Sequence, residues 1–389
     1  MSGGLFFSAR NLRSGDRRLW HWGWLPVGAA TVLTIVGWEA IGTTEPGYAQ
    51  RQLAFIPIAL AAAAAIGVLH PRWMDRWAIP LYVASLVLLL FVLMPGVPEA
   101  LVRPRKGARR WINLVVIDFQ PSELAKIGLI LVLAQWLRAR EDVARLQGLV
   151  IPVALASVPF VLILVEPDLG TALTLAPTAA AMLLAAGCRR RHLAIGVVAA
   201  ALLAPASYPF LKPHQRARVD ALLAQVVGDT RYSRDIGFQA DRAMTLIGAG
   251  GVAGQGEDGA QRLLETNALP EEHNDMIFSS IACRWGLGGS MLVLAACSAL
   301  CLGAVAVAVS VRDAGGRLVA IGIGSLLATQ VIVNIGMNVG LLPITGMTLP
   351  FVSYGGTSLV ASWIMVGMLW SVASARRADT LRAAFQLQR

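Results

Sequence analysis

IPLYVASLVLLLFVLMP, residues 79–95, contains no charged side chain, and RPRKGARRWI, residues 103–112, follows close behind with five cations: Arg103, Arg105, Lys106, Arg109 and Arg110. An apolar run of that kind, near 20 residues long, is what a helix needs to cross a bilayer. The first stretch sets the fold class, and the second asks which side of the membrane so much positive charge faces.

Working outward, further apolar runs fall at 25–42, 53–69, 121–137, 149–165, 171–187, 193–211, 277–309, 318–342 and 355–374. With the opening run they predict an all-α, polytopic membrane protein of ten spans, one domain over residues 1–389, with a long extracytoplasmic loop at 212–276. Ala, Leu and Val dominate, and the two-residue alternation of a lipid-facing strand is absent, so helices are expected rather than a barrel. The run at 277–309 is too long for one straight crossing. Gly286, Gly288 and Gly289 are expected to divide it.

Composition agrees. The chain is 56% hydrophobic and 14% charged, where a soluble protein carries about 25% charged residues. The net charge of +10 is accounted for by cationic loops on the cytoplasmic side. It points to membrane lipids as partners and not to nucleic acid. Cys188, Cys283, Cys297 and Cys301 sit in or beside apolar runs without metal-ligand spacing and read as packing residues. The N-terminal arginines precede an apolar run without a clear cleavage site, so that run reads as a first anchor.

Cytoplasmic N- and C-termini make every inside segment basic, from Arg10, Arg13, Arg17 and Arg18 through Arg72 and Arg76 to Arg376 and Arg377. One short outside loop breaks the pattern, and it is 96–120. Either the other basic segments fix the topology and this loop is tolerated, or its cations meet lipid phosphates or a phosphorylated substrate.

Four polar clusters interrupt the apolar plan. Gln120-Pro121-Ser122-Glu123-Leu124-Ala125-Lys126 opens the fourth span, with Glu123 and Lys126 on one face. The pair reads as a structural ion pair or as the inner end of a polar track from Arg109 and Arg110. Glu166-Pro167-Asp168-Leu169-Gly170-Thr171 forms a tight outer turn in which Asp168 caps a helix or pairs with a cation. In LPEEHNDMIF, residues 269–278, Asp275 is the last acid before an apolar run. It reads as a helix cap, or as a base whose pKa partial burial would raise. Asn334 and Asn338 lie in the ninth span. The Gly/Pro/Ser-rich stretch after them, with Ser353 and Tyr354, is too apolar for a solvated linker and is expected to fold back into the bundle.

These clusters, in this order, resemble the RodA/FtsW family of shape, elongation, division and sporulation proteins. The resemblance rests on RRWI…QPSELAK, PDLGTA, GAGGVAGQG, LPEEHNDMIF and NIGMNVGLLPITGMTLPFVSYGGTS, and it covers nearly the whole chain. It implies a peptidoglycan glycosyltransferase that polymerises lipid II, an undecaprenyl-diphosphate-linked disaccharide peptide, at the outer face of the bacterial plasma membrane. It also implies a class B penicillin-binding protein as transpeptidase partner. The family's essential Asp falls on Asp275, its Arg before Trp on Arg110, and the Glu and Lys of its QPSE motif on Glu123 and Lys126. Arg109, Arg110, Lys126, Glu123, His273, Asp168, Ser353 and Tyr354 are thus the expected substrate-binding residues, with Asp275 catalytic.

In the implied chemistry the leaving diphosphate needs cations or a divalent metal ion, Mg or Mn, and the acceptor hydroxyl needs a base. One departure stands out. Where the family usually carries Glu-Glu after the Asp, this chain has Cys283-Arg284, and Met276 replaces a Phe. Arg284 is expected to pair with Glu271, Glu272 or Asp275, and pairing with Asp275 would lower its pKa and weaken a base. Two other functions fit the same residues: a transporter of lipid-linked precursors, and a non-catalytic scaffold for the transpeptidase.

Overall fold

The computed structural model describes residues 21–105, 108–114, 118–140, 142–210, 216, 220 and 237–386. The N-terminal arginines, Lys106 and most of the 212–236 part of the long loop lie outside the described residues.

Twelve helices occur among the described residues: α1 (Trp24–Thr44), α2 (Pro46–Val68), α3 (Arg72–Leu93), α4 (Pro121–Leu137), α5 (Leu146–Val165), α6 (Leu169–Ala185), α7 (Arg190–Ser207), α8 (Gly237–Gly250), α9 (Gly256–Asn267), α10 (Ile277–Ser310), α11 (Ala314–Asn338) and α12 (Gly356–Gln386). Each of the ten predicted spans coincides with one of them. Seven are long and apolar enough to cross a membrane: α1, α2, α3, α5, α10, α11 and the Gly356–Ala375 part of α12. The α6 helix is apolar but shorter. The chain is a multi-pass membrane protein.

Lipid and protein share out the apolar surface. Leu53, Ile79, Val87, Val150 and Val161 on α2, α3 and α5 are exposed, as side chains facing acyl chains are. The α4 helix is buried on nearly every face and packs against α3, α5, α6, α11 and α12. It forms the centre of the bundle. Glu123 and Lys126 enter the core on this helix, so each requires a partner there.

The sequence presented residues 96–120 as an irregular cationic loop. The structure builds a three-stranded antiparallel sheet from them: β1 (Val102–Arg105), β2 (Ala108–Asn113) and β3 (Asp118–Phe119), in the order β1-β2-β3. Val102 and Ile112 pair across the first two strands and are buried against Val92 at the end of α3. A stretch of five cations broken by Pro104 and Gly107 is hard to read as strand, and packing on the α3 end decides it.

The division of the eighth span is confirmed at Gly286. Its φ of 60° and ψ of −149° interrupt α10, and a Cβ there would lie 2.4 Å from the Gly254 nitrogen. The 251–255 turn takes up the backbone groups at the kink. Leu287 N–H donates to the Gly251 carbonyl at 3.0 Å, and Gln255 N–H to the Cys283 carbonyl at 2.9 Å. The glycine-rich stretch is therefore one half of a backbone-to-backbone joint.

Candidate active site

Strand geometry separates the two arginines of β2. Neighbouring side chains on a strand point to opposite faces. Arg109 donates to the Val97 carbonyl. Arg110 turns the other way, donating from Nε to the Glu166 carbonyl at 2.9 Å and from Nη2 to the Pro167 carbonyl. Its Nη1 lies 3.8 Å from Asp168 Oδ1. The expected twin patch resolves into one arginine in the polar network and one outside it.

Asp168 fills both roles expected of it. It caps α6, accepting from Thr171 N–H at 3.2 Å and from the Thr171 hydroxyl at 2.9 Å. It also pairs with Arg110 and accepts from Gln120 Nε2 at 3.1 Å. One carboxylate thus ties together β2, the start of α4 and the start of α6. From Gln120, Lys126 lies about 9 Å further along α4 at 1.5 Å per residue. There it pairs with Glu123 at 2.8 Å, both side chains buried.

Next to this knot lies Glu166, which is only 1% exposed. Neither carboxyl oxygen has a hydrogen-bond partner among the described residues. Burial and the neighbouring Asp168 push its pKa up to about 9, against the lowering effect of Arg110. That value favours the neutral form of Glu166 at physiological pH.

Asp275 ends the long loop one residue before the Met276 cap of α10 and is 8% exposed. Its backbone is held from α11. Asn334 Nδ2 and Asn338 Nδ2 both donate to the Asp275 carbonyl at 2.9 Å. Asn338 Oδ1 also accepts from Ser279 N–H at 3.2 Å, in the first turn of α10. Asn334 donates as well to the Met347 carbonyl at 2.6 Å. Asparagines one turn apart in an apolar helix were visible in the sequence. Their function as a clamp on the Asp275 backbone was not.

The stretch between α11 and α12 folds back into the bundle as expected, with Thr345, Leu349, Phe351, Val352 and Ser353 buried. It joins the two halves of the site. A Cβ on Gly170, in the first turn of α6, would lie 3.1 Å from the Thr345 carbonyl oxygen. A Cβ on Gly346, whose φ is +75°, would lie 3.8 Å from Asp275 Oδ2. The Thr345–Gly346 turn thus runs close to both the first turn of α6, which Asp168 caps, and the Asp275 carboxyl.

The hydroxyl of Ser353 is committed to backbone, accepting from Leu349 N–H at 2.7 Å and donating to the Asn274 carbonyl at 2.6 Å. Tyr354 N–H donates to the His273 carbonyl at 2.9 Å. The Tyr48 ring lies 4.4 Å from that of His273 and 4.5 Å from that of Tyr354. Gln52 on α2 bonds the Ser353 carbonyl and the Gly355 N–H. These groups brace the loop that carries Asp275. Beside them, Glu272 is pushed up to about 7 by burial and then by Glu45 and Glu265.

Arg284 does not turn toward Asp275. It pairs with Glu257 at 2.9 Å and Glu39 at 3.6 Å, and lies over the Trp285 ring. The expected contact with Glu271, Glu272 or Asp275 is thereby corrected: residue 284 sits on the side of α10 facing α1 and α9. Among the described residues no three His, Cys, Asp or Glu side chains converge as metal ligands.

Relatives and solved structures agree with this architecture. The chain is 36% identical over 305 residues to a probable peptidoglycan glycosyltransferase FtsW of Geobacter sp. strain M18, covering 78% of this chain and 80% of the relative. It is 32% identical over 345 residues to the peptidoglycan glycosyltransferase MrdB of Escherichia coli K12, covering 88% and 90%. A chain from a structure describing how a peptidoglycan synthase complex coordinates polymerization and crosslinking superposes with a TM-score of 0.78 at 32% identity, covering 91% of this chain and 98% of that one. The crystal structure of the rod shape determining protein RodA of Thermus thermophilus gives 0.68 at 29%, covering 93% and 99%. With residues 21–378 matching its sequence pattern, the chain belongs to the FtsW/RodA/SpoVE family of cell cycle proteins.

Proposed function

We infer that this chain is a peptidoglycan glycosyltransferase that polymerises lipid II. The observation that carries the reading is the buried Asp275 carboxylate under Gly346, linked through Thr345 and α6 to Asp168 and Arg110. The acceptor sugar 4-hydroxyl attacks the anomeric carbon of the donor as its proton passes to Asp275. The bond from that carbon to the diphosphate oxygen breaks, and the diphosphate leaves with the electron pair. Arg110 and Lys126 stabilise the negative charge that accumulates there. A Mg or Mn ion, where one takes part, arrives on the diphosphate as part of the substrate.

The site faces the outer side of the bacterial plasma membrane, with both termini cytoplasmic. The cations of β2 are on the outside because the lipid-linked diphosphate is. A class B penicillin-binding protein is the proposed partner, in line with the synthase complex to which the fold is similar.

The test is purified protein with labelled lipid II in detergent. Wild type forms glycan chains, and Asp275→Asn forms none while keeping its helical content and elution volume. Chain formation by a well-folded Asp275→Asn protein would remove the proposed base. Lipid II movement across vesicles without polymer would favour a transporter instead.

A further inference from the structure

The end of the bundle remote from Asp275 holds a cavity of about 380 Å³. It is bounded by the start of α3, the end of α4, the α10–α11 turn and the later part of α12. Asn338 and Pro121 mark the Asp275 end of α11 and α4, and the cavity lies at their opposite ends. The 17 residues of α4 put the two ends about 25 Å apart.

The floor of the cavity is apolar, made by Met74, Val319 and Val372, all buried. The charges around its mouth are unequal in their commitments. Asp75 pairs with Arg138. Asp313 caps α11, accepting from Gly316 N–H at 2.6 Å. Both acids are thus satisfied. Arg72 and Arg312 also border the cavity and are exposed. Neither guanidinium has an ion-pair or hydrogen-bond partner among the described residues; the backbone N–H of Arg72 donates to His70 Nδ1. Two uncommitted guanidiniums over an apolar floor select an anion attached to something apolar.

The tryptophans give the level of this mouth in the membrane. Trp22, Trp24 and Trp77 are exposed at the same end of the bundle. Trp24 packs on Trp370, near the end of the Gly356–Ala375 span, with ring centroids 4.4 Å apart. Exposed tryptophan collects at the headgroup level of a bilayer, and basic pockets between helices at that level bind anionic headgroups.

We propose that this cavity binds the phosphodiester headgroup of an anionic membrane lipid, with Arg72 and Arg312 gripping the phosphate and the first acyl carbons lying over Met74, Val319 and Val372. The site is separate from the Asp275 network and does not depend on its chemistry. It gives the protein a lipid-dependent contact between the ends of α4, α11 and α12.

The test is native mass spectrometry of the full chain extracted from vesicles of phosphatidylglycerol and phosphatidylcholine in equal parts. Wild type retains phosphatidylglycerol selectively. The Arg72→Gln/Arg312→Gln variant loses retention by about five-fold per cation, roughly 25-fold for the pair. Arg145→Gln, basic but outside the cavity, retains as wild type does. Ala375→Trp fills the cavity without changing charge and also abolishes retention, which keeps the test decisive if the double variant inserts poorly. Retention that survives both changes, or equal retention of phosphatidylcholine, overturns the site. Saturable binding of inorganic phosphate with no preference for phosphatidylglycerol overturns the lipid assignment.

Discussion

Asn338 and Asp275 are joined through the backbone: Asn338 Nδ2 donates to the Asp275 carbonyl at 2.9 Å while Asn338 Oδ1 receives the Ser279 N–H at 3.2 Å. One side chain on α11 therefore fixes both the residue before the α10 cap and the first turn of α10. The backbone of the proposed base is thus held from a neighbouring helix as well as by its own loop.

Asn338→Ala should accordingly reduce activity without touching substrate. It leaves the Ser279 N–H and the Asp275 and Asn334 carbonyls with one partner fewer each, at a cost of about 1–3 kcal/mol in stability. A lowered melting temperature and a fall in kcat larger than any change in KM are expected. A variant losing stability with kcat unchanged would make the clamp purely structural.

The two faces of β2 predict unequal arginines. Arg110→Lys loses the fork that holds the Glu166 and Pro167 carbonyls and faces Asp168, and should cut kcat/KM by at least ten-fold. Arg109→Lys gives up one bond to the Val97 carbonyl and should stay within about five-fold, the roughly 1 kcal/mol expected of a single hydrogen bond. Equal losses in lipid II turnover would contradict the strand assignment of their side chains.

Glu166 predicts a pH dependence of stability. Its pKa is raised from 4.5 to about 9 by burial, so the folded protein holds a proton that the unfolded chain releases above 4.5. The folded state binds more protons, and stability falls as pH rises between those values. Glu166→Gln keeps a neutral side chain of the same size and should remove this fall. Melting curves should coincide with wild type near pH 4.5, with the variant several degrees higher near pH 9. A variant less stable at pH 9 than wild type would show an ionised Glu166 with a partner.

Arg284 is directed to Glu39 and Glu257, so Arg284→Gln should leave the pH–rate profile in place and change kcat by no more than about three-fold. Its loss should appear in stability, by roughly 1 kcal/mol or less, because Glu257 is largely exposed and the pair is screened. A fall in kcat well beyond three-fold on this substitution would mean that residue 284 acts on the site and not only on stability.

Apolar length, cation placement and helix-breaking glycine are local signals, and they determined much of this protein. The spans coincide with helices because a bilayer leaves the backbone few alternatives, and the kink falls at Gly286 because only glycine permits that φ and that approach of Gly254. The polar clusters announced themselves because charge and amide groups are costly in an apolar run. Tertiary structure alone decided which of them meet. Arg109 and Arg110 are adjacent in sequence and part company on a strand that the α3 end stabilises. Asn334 and Asn338 reach Asp275 across more than fifty residues of chain. Glu166 became a neutral buried acid only when its surroundings closed over it. Burial, register and partner choice depend on what packs against a residue, and the neighbours of these residues come from distant parts of the chain.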